Sequence, residues 1–147
     1  MDLVVKHFNE LSLEELYEIL QVRFQVFIVE QNCTYQELDG KDHHSYHVFL
    51  KDDTGIKAYL RVLEKGVSFE DVSIGRVLTI DRGCRLGKRI LSEGIKVAKE
   101  MLDANRIIIV AQLYAKEFYE KVGFKQSSDE FLEDGIFHIQ MVLELYS

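Results

Sequence analysis

Between residues 73 and 112 the chain reads as strand, basic glycine turn, helix and apolar strand, and few folds accommodate that order. Ile74-Gly75-Arg76-Val77-Leu78-Thr79-Ile80 is mostly apolar and β-branched, which predicts a strand over 73–80. The next segment, Arg82-Gly83-Cys84-Arg85-Leu86-Gly87-Lys88-Arg89, packs four positive charges and two glycines into eight positions. Ile90, Leu91, Gly94, Val97, Ala98, Met101 and Leu102 then recur at helical spacing, and the helix is expected to run to about Asn105. Arg106 to Gln112, with its run Ile107-Ile108-Ile109-Val110, reads as a strand buried on both faces, as happens when helices cover a sheet. The fold class is therefore mixed α/β.

The basic turn is the first candidate site. A helix N-terminus offers unpaired backbone N–H groups and a partial positive charge, and glycines let phosphate oxygens approach those groups closely. A pyrophosphate is the ligand that suits this turn best, against the alternative of a merely solvated basic face. The familiar nucleotide loops do not fit. Gly83 and Gly87 enclose three residues where a Walker loop needs four, and Lys88 is followed by Arg89 rather than Ser or Thr. The third glycine of a dinucleotide fingerprint is missing, since Arg85 and Lys88 stand in the way.

The rest of the chain supplies the remaining layers. Leu3 to Phe8 is a short strand candidate, and Ser12 with Glu15 forms a capping box ahead of Leu13, Leu16, Tyr17, Leu20, Phe24 and Phe27, an amphipathic helix. Gln31 to Ser45 is an irregular polar stretch, long enough to be functional. His47 to Lys51 and Ile56 to Glu64 alternate as strands around the turn composition Asp52-Asp53-Thr54-Gly55, which predicts a hairpin. A second helix spans roughly Ala115 to Val122 and ends at Gly123. Lys125 to Phe131 and Phe137 to Glu144 form a last hairpin around Glu133-Asp134-Gly135.

At 147 residues and 47% apolar, the chain suits one domain, 1–147, with a single core. No stretch approaches 18 consecutive apolar residues, and Met1-Asp2-Leu3-Val4-Val5-Lys6 lacks the regions of a signal peptide, so no membrane partner and a cytoplasmic location are expected. Cys33 and Cys84 lack metal-ligand spacing and read as reduced thiols, with no metal expected. A formal net charge of −7 argues against nucleic acid as a partner.

The order strand, helix, three strands, helix, strand, helix, two strands, with a basic glycine turn after the fourth strand, resembles the GNAT superfamily of acyl-coenzyme A dependent N-acetyltransferases. Phe118-Tyr119-Glu120-Lys121-Val122-Gly123-Phe124 resembles the family's tyrosine-bearing helix ending in Gly-Phe. Three further stretches are similar to its ElaA-like branch: Val26-Phe27-Ile28-Val29-Glu30-Gln31-Asn32-Cys33, Tyr35-Gln36-Glu37-Leu38-Asp39-Gly40-Lys41-Asp42, and Glu133-Asp134-Gly135-Ile136-Phe137-His138-Ile139. The resemblance implies a GNAT fold: a mostly antiparallel sheet of about seven strands, flanked by helices, with one splayed pair of strands binding acyl-CoA. It also implies acetyl transfer from acetyl-CoA to a primary amine by direct attack. The acceptor would be a small molecule, or a lysine or N-terminal amine, and a homodimer stays open. The alternative is a non-catalytic acyl-CoA-binding module of the same fold. The turn departs from the family's Arg-x-x-Gly-x-Gly/Ala pattern where Arg85 replaces the first glycine, and the segment between Val77 and Arg82 is about two residues shorter than the resemblance implies.

The same resemblance implies that Val77, Leu78 and Thr79 offer main-chain groups to the pantetheine arm and the acyl carbonyl. Arg82, Gly83, Cys84, Arg85, Leu86, Gly87 and Lys88 would then cradle the pyrophosphate. Acyl transfer needs a donor aimed at a developing oxyanion, and a backbone N–H on a splayed strand supplies one. Tyr119 is the candidate acid for the leaving thiolate, with Tyr114 in reserve. A neutral amine requires a base, and Glu30, Glu37, Asp39, His47, Glu133 and His138 are candidates, of which Glu37 and His138 are favoured because they sit in the branch-like motifs. In family geometry Cys84 faces phosphate, which disfavours an acetyl-cysteine route. The acidic run from Glu37 to Asp42, with Glu133 and Asp134, suggests a cationic acceptor.

Overall fold

The computed structural model describes residues 1–80 and 85–145. The strands are β1 (Asp2–His7), β2 (Ser45–Asp52), β3 (Gly55–Leu63), β4 (Val72–Thr79), β5 (Arg106–Gln112), β6 (Lys125–Gln126), β7 (Phe131–Glu133) and β8 (Ile136–Glu144). The α-helices are α1 (Leu13–Phe24), α2 (Leu86–Leu102) and α3 (Lys116–Glu120). The strands form one sheet in the order β1-β2-β3-β4-β5-β8-β6, with β7 also paired to β8. All pairs are antiparallel except β4 with β5.

Strand alternation divides the core into two layers. Val48, Leu50, Leu60, Ile107, Ile109 and Met141 pack against Ile90, Leu91, Val97 and Ala98 of α2. Phe49, Ile56, Tyr59 and Leu78 face the other way, onto Ile19 and Val22 of α1. Gly94 lets α2 approach the sheet: a Cβ there would lie 2.7 Å from Leu60 Cδ2, too close for any side chain to fit without movement. The capping box of α1 forms as the sequence predicts, with Ser12 Oγ accepting from the Glu15 N–H at 3.0 Å and Glu15 Oε1 accepting from the Ser12 N–H at 2.8 Å. Beyond Phe24 the helix does not stop but widens into a π-helical segment, Gln25–Glu30, a form often found at functional sites.

Three expectations are corrected. β5 is not buried on both faces: Ile107, Ile109 and Ala111 enter the α2-side core, whereas Val110 is 36% exposed and lines a cleft. Its continuous apolar run serves a core on one side and an open wall on the other. The predicted strand 125–131 is two strands, β6 and β7, because the ladder breaks after Ser127, whose N–H still donates to the Gln140 carbonyl at 2.8 Å. There Ser128 Oγ accepts the Gln140 N–H at 2.9 Å in place of a strand carbonyl, which makes eight strands among the described residues rather than seven. The last helix is short, since Leu113–Ala115 form a 3-10 turn before α3. The hairpin turn at Asp134-Gly135 has φ +52 and +78, the paired left-handed residues that a tight β-hairpin favours.

Candidate active site

β4 and β5 pair only at Val72↔Ile107 and Ser73↔Ile108 and then separate. β4 remains attached to β3, but with an irregularity: Tyr59 faces Leu78 and Arg61 faces Gly75, so three steps along β4 match two along β3. The extra residue is a β-bulge around Arg76, whose φ is +55. The separation opens a cleft of about 760 Å³. Its walls include Ala111 and Tyr119, which belong to the α2-side core, and His138 and Arg61, which lie outside that core, so the cleft runs through the gap between the strands.

Val77, Leu78, Thr79 and Gly87 all line this cleft. A Cβ on Gly87 would stand 3.5 Å from the Phe118 ring and 3.8 Å from Thr79 Cγ2, filling the passage between the end of β4 and α3. Leu86, Gly87 and Lys88 form the first turn of α2, and Arg85 is its N-cap with φ +60. Arg82, Gly83 and Cys84 lie outside the described residues. The backbone at Arg85 is left-handed, a conformation that a glycine would adopt without steric cost.

Tyr119 is 9% exposed and lines the cleft, its ring edge-on to Phe118 at 5.1 Å and Phe124 at 5.7 Å. Its hydroxyl has no hydrogen bond among the described residues. Burial, reinforced by the nearby Tyr114, pushes the phenol above its ordinary pKa, so it stays protonated at neutral pH. Such a group can hold a proton to give, and cannot serve as a base. Tyr114 also lines the cleft but is largely exposed.

His138 reaches the cleft from β8, opposite Gln112 in register. Its Nδ1 lies 2.7 Å from the Ile136 carbonyl oxygen, which can only accept, so Nδ1 carries a hydrogen and, in the neutral imidazole, Nε2 is the nitrogen with the lone pair. Phe131 lies nearly parallel to the ring, with centroids 6.1 Å apart.

The other base candidates separate cleanly. Glu30 and His47 do not line the cleft, and neither does Glu37, which is 2% exposed. Glu37 Oε2 accepts from Arg23 Nε at 2.6 Å, its Oε1 is 2.9 Å from Arg76 Nε, and it also accepts the Tyr35 hydroxyl hydrogen. With both oxygens engaged by cations and a phenol, Glu37 has no lone pair directed at an acceptor, and its geometry fits ion pairing rather than proton abstraction. Asp39 does line the cleft, but Arg61 Nη2 holds it at 2.7 Å. Burial alone would raise its pKa, and the bonds from Arg61 outweigh that and hold the carboxyl well below the usual range. His47 is buried between the Tyr59 hydroxyl, 2.7 Å from Nδ1, and the Asp42 carbonyl, 3.0 Å from Nε2, and burial lowers its pKa to about 4.

Sequence reasoning missed the larger unit to which Glu37 belongs. Arg23, Arg61 and Arg76 interlock with Glu37, Asp39 and Asp42, three cations against three carboxylates. The signal was present in Arg23, which continues the apolar face of Leu16 and Leu20 at helical spacing, and in Arg61, set between Leu60 and Val62 of an apolar strand. Among the described residues no cluster of three or more His, Cys, Asp or Glu could hold a metal ion.

A splayed parallel strand pair, a bulged β4 and a helix beginning beside the cleft are the parts of an acyl-CoA-dependent acyltransferase. The chain belongs to the GNAT acetyltransferase family, whose domain model, "Acetyltransferase (GNAT) domain", matches residues 9–145. It is 36% identical to a UPF0039 protein of Schizosaccharomyces pombe over 99% of this chain and 98% of that protein. The fold superposes with a TM-score of 0.90 on an acyl-CoA N-acyltransferase from Pseudomonas aeruginosa, at 36% identity over 97% of this chain and 99% of that one. It superposes with a TM-score of 0.89 on Escherichia coli ElaA, at 34% identity over 97% and 99% of the two chains.

Proposed function

We propose that the protein is an N-acetyltransferase that moves an acetyl group from acetyl-CoA to a primary amine by direct attack. The observation that carries this reading is the placement of Tyr119 and His138 on walls of one cleft that runs through the β4–β5 gap. When bound, acetyl-CoA supplies an activated acyl group as a thioester. The chain's own residues then divide the work. Backbone N–H groups on the β5-facing edge of Val77–Thr79, where β4 has parted from β5, are available to an oxygen that gains negative charge, while Leu78 stays opposite Tyr59 of β3. His138 accepts the amine's proton at Nε2, because Nδ1–H is committed to the Ile136 carbonyl. Tyr119 holds a proton at its hydroxyl and delivers it to the departing sulfur. A phenol has a reference pKa of about 10 against about 8.5 for a thiol, and in a buried cleft both are raised together, so position decides the transfer.

The acidic run no longer argues for a cationic acceptor, because Glu37, Asp39 and Asp42 are neutralised by Arg23, Arg61 and Arg76. Glu133 and Asp134 keep that role at the hairpin leading to His138. The test is thiol release from acetyl-CoA across a library of amines, with intact mass of the products. Acetylated amine formed in step with thiol supports the reading. Acetyl-CoA binding with no turnover on any amine supports a binding module instead.

A further inference from the structure

We infer that the acceptor amine carries a carboxylate on a spacer, and that Lys41 with Ser68 and Ser73 receives that carboxylate at the end of the cleft where β4 and β5 still pair. The inference rests on the acetyltransferase reading and names its substrate class. Three cations line the cleft: Lys41, Arg61 and Arg76. Arg61 is held by Asp39 at 2.7 Å and Asp42 at 2.9 Å, and Arg76 by Glu37 at 2.9 Å, so neither guanidinium carries uncompensated charge. Lys41 differs. Its ammonium donates to Ser68 Oγ at 2.9 Å and has no carboxylate within 4.0 Å among the described residues, which leaves two N–H groups for a ligand. Ser73, almost fully buried, also lines the cleft, and its hydroxyl has no partner among the described residues.

Position gives the spacer. Ser68 sits in the connection between β3 and β4, and Ser73 lies where β4 and β5 still pair and close the gap. Val77 is four residues further along β4, and because the bulge at Arg76 takes up one of them the span is about three strand steps, roughly 10 Å. An α-amino acid, whose amine and carboxylate share one carbon, spans only a small part of that length, which a carboxylate on a longer spacer matches. The cleft is also polarised in the matching sense: Glu133 and Asp134 stand on the hairpin that carries His138, where the amine is needed, and the free ammonium of Lys41 stands at the other end. A charge-assisted hydrogen bond inside a cleft is stronger than one at an open surface.

The experiment compares ω-amino carboxylates of graded chain length with ω-amino amides of equal length, using thiol release from acetyl-CoA with product mass. The expected result is a length at which kcat/KM favours the carboxylate by about tenfold, the lower end of what one hydrogen bond to a charged group is worth. Lys41→Met should bring that ratio to about one, and Lys41→Glu should invert it. Lys65→Met, exposed on the same β3–β4 connection, should keep the wild-type ratio. Equal kcat/KM for both series, or a ratio indifferent to Lys41, overturns the inference while leaving the acetyltransferase reading in place. A ratio lowered as much by Lys65→Met as by Lys41→Met assigns the effect to diffuse charge and also overturns it. Absence of turnover with every amine overturns both.

Discussion

Arg76 Nε lies 2.9 Å from Glu37 Oε1, and Arg76 is also the residue at which β4 bulges, with φ +55. A left-handed non-glycine residue costs about 1–2 kcal/mol. The chain has a glycine next door, at Gly75, whose φ is not in that region. The side chain rather than backbone ease therefore explains arginine at 76: it ties the bulge before Val77 to the segment bearing Tyr35 and Glu37, and its guanidinium lies over the Tyr35 ring at 5.6 Å.

Glu37→Gln should lower stability by about 3–5 kcal/mol, because it leaves Arg23 buried with less compensating charge. Arg76→Gly should cost far less, since relief of the backbone offsets part of the lost ion pair, yet turnover should fall because the donors after the bulge lose their tether. Urea unfolding and turnover measured on both variants check this. Full activity in Arg76→Gly would reduce the network to a structural one.

Arg85 offers a second test at a left-handed position, φ +60. Arg85→Gly should raise stability by about 1 kcal/mol through the removed steric cost. It also removes a positive charge from the start of α2, so affinity for coenzyme A should fall. Thermal melting without ligand, and calorimetric titration with coenzyme A, read the two effects separately. A drop in melting temperature would contradict the backbone argument.

The buried imidazole of His47 sets a pH dependence. Its pKa is about 4 in the folded protein and about 6.5 when the chain is unfolded. The unfolded chain takes up the proton first, so stability is complete above about pH 6.5 and is lost as pH falls toward 4, by roughly 2–3 kcal/mol. Asp39 and Asp42, held below their usual range by arginine, add a loss in the same direction at still lower pH. Urea midpoints from pH 7 to 4 check it, and His47→Gln should flatten the upper part of the curve. A midpoint unchanged between pH 6.5 and 5 would contradict the assignment.

The hairpin β2–β3, the capped α1 and the unit from β4 through α2 to β5 were legible because each is specified locally, by alternation, by Ser12 with Glu15, or by helical spacing. The π-helical segment after Phe24 was not, since its residues keep a helix-like pattern and only their tertiary setting widens the turn. β6 and β7 read as one strand because Ser128 substitutes a side-chain oxygen for a backbone partner, and no local composition announces that. At the site, His138 was named from its motif, but the hydrogen on Nδ1 is set by the carbonyl of Ile136 folding back on it. Glu37 illustrates the opposite case: a carboxylate in a polar stretch looks available until Arg23 and Arg76, 14 and 39 residues away, close over it.

Steady-state turnover of acetyl-CoA by Tyr119→Phe, measured beside coenzyme A affinity, tests the central claim most directly. The substitution removes the proton donor and keeps the ring that packs on Phe118 and Phe124. A fall in kcat of about tenfold to a thousandfold, with affinity for coenzyme A unchanged, is the predicted result. Unchanged turnover in Tyr119→Phe, with loss in Tyr114→Phe, would contradict the assignment of the acid, and unchanged turnover in both would contradict any proton-donating role for a tyrosine in this cleft.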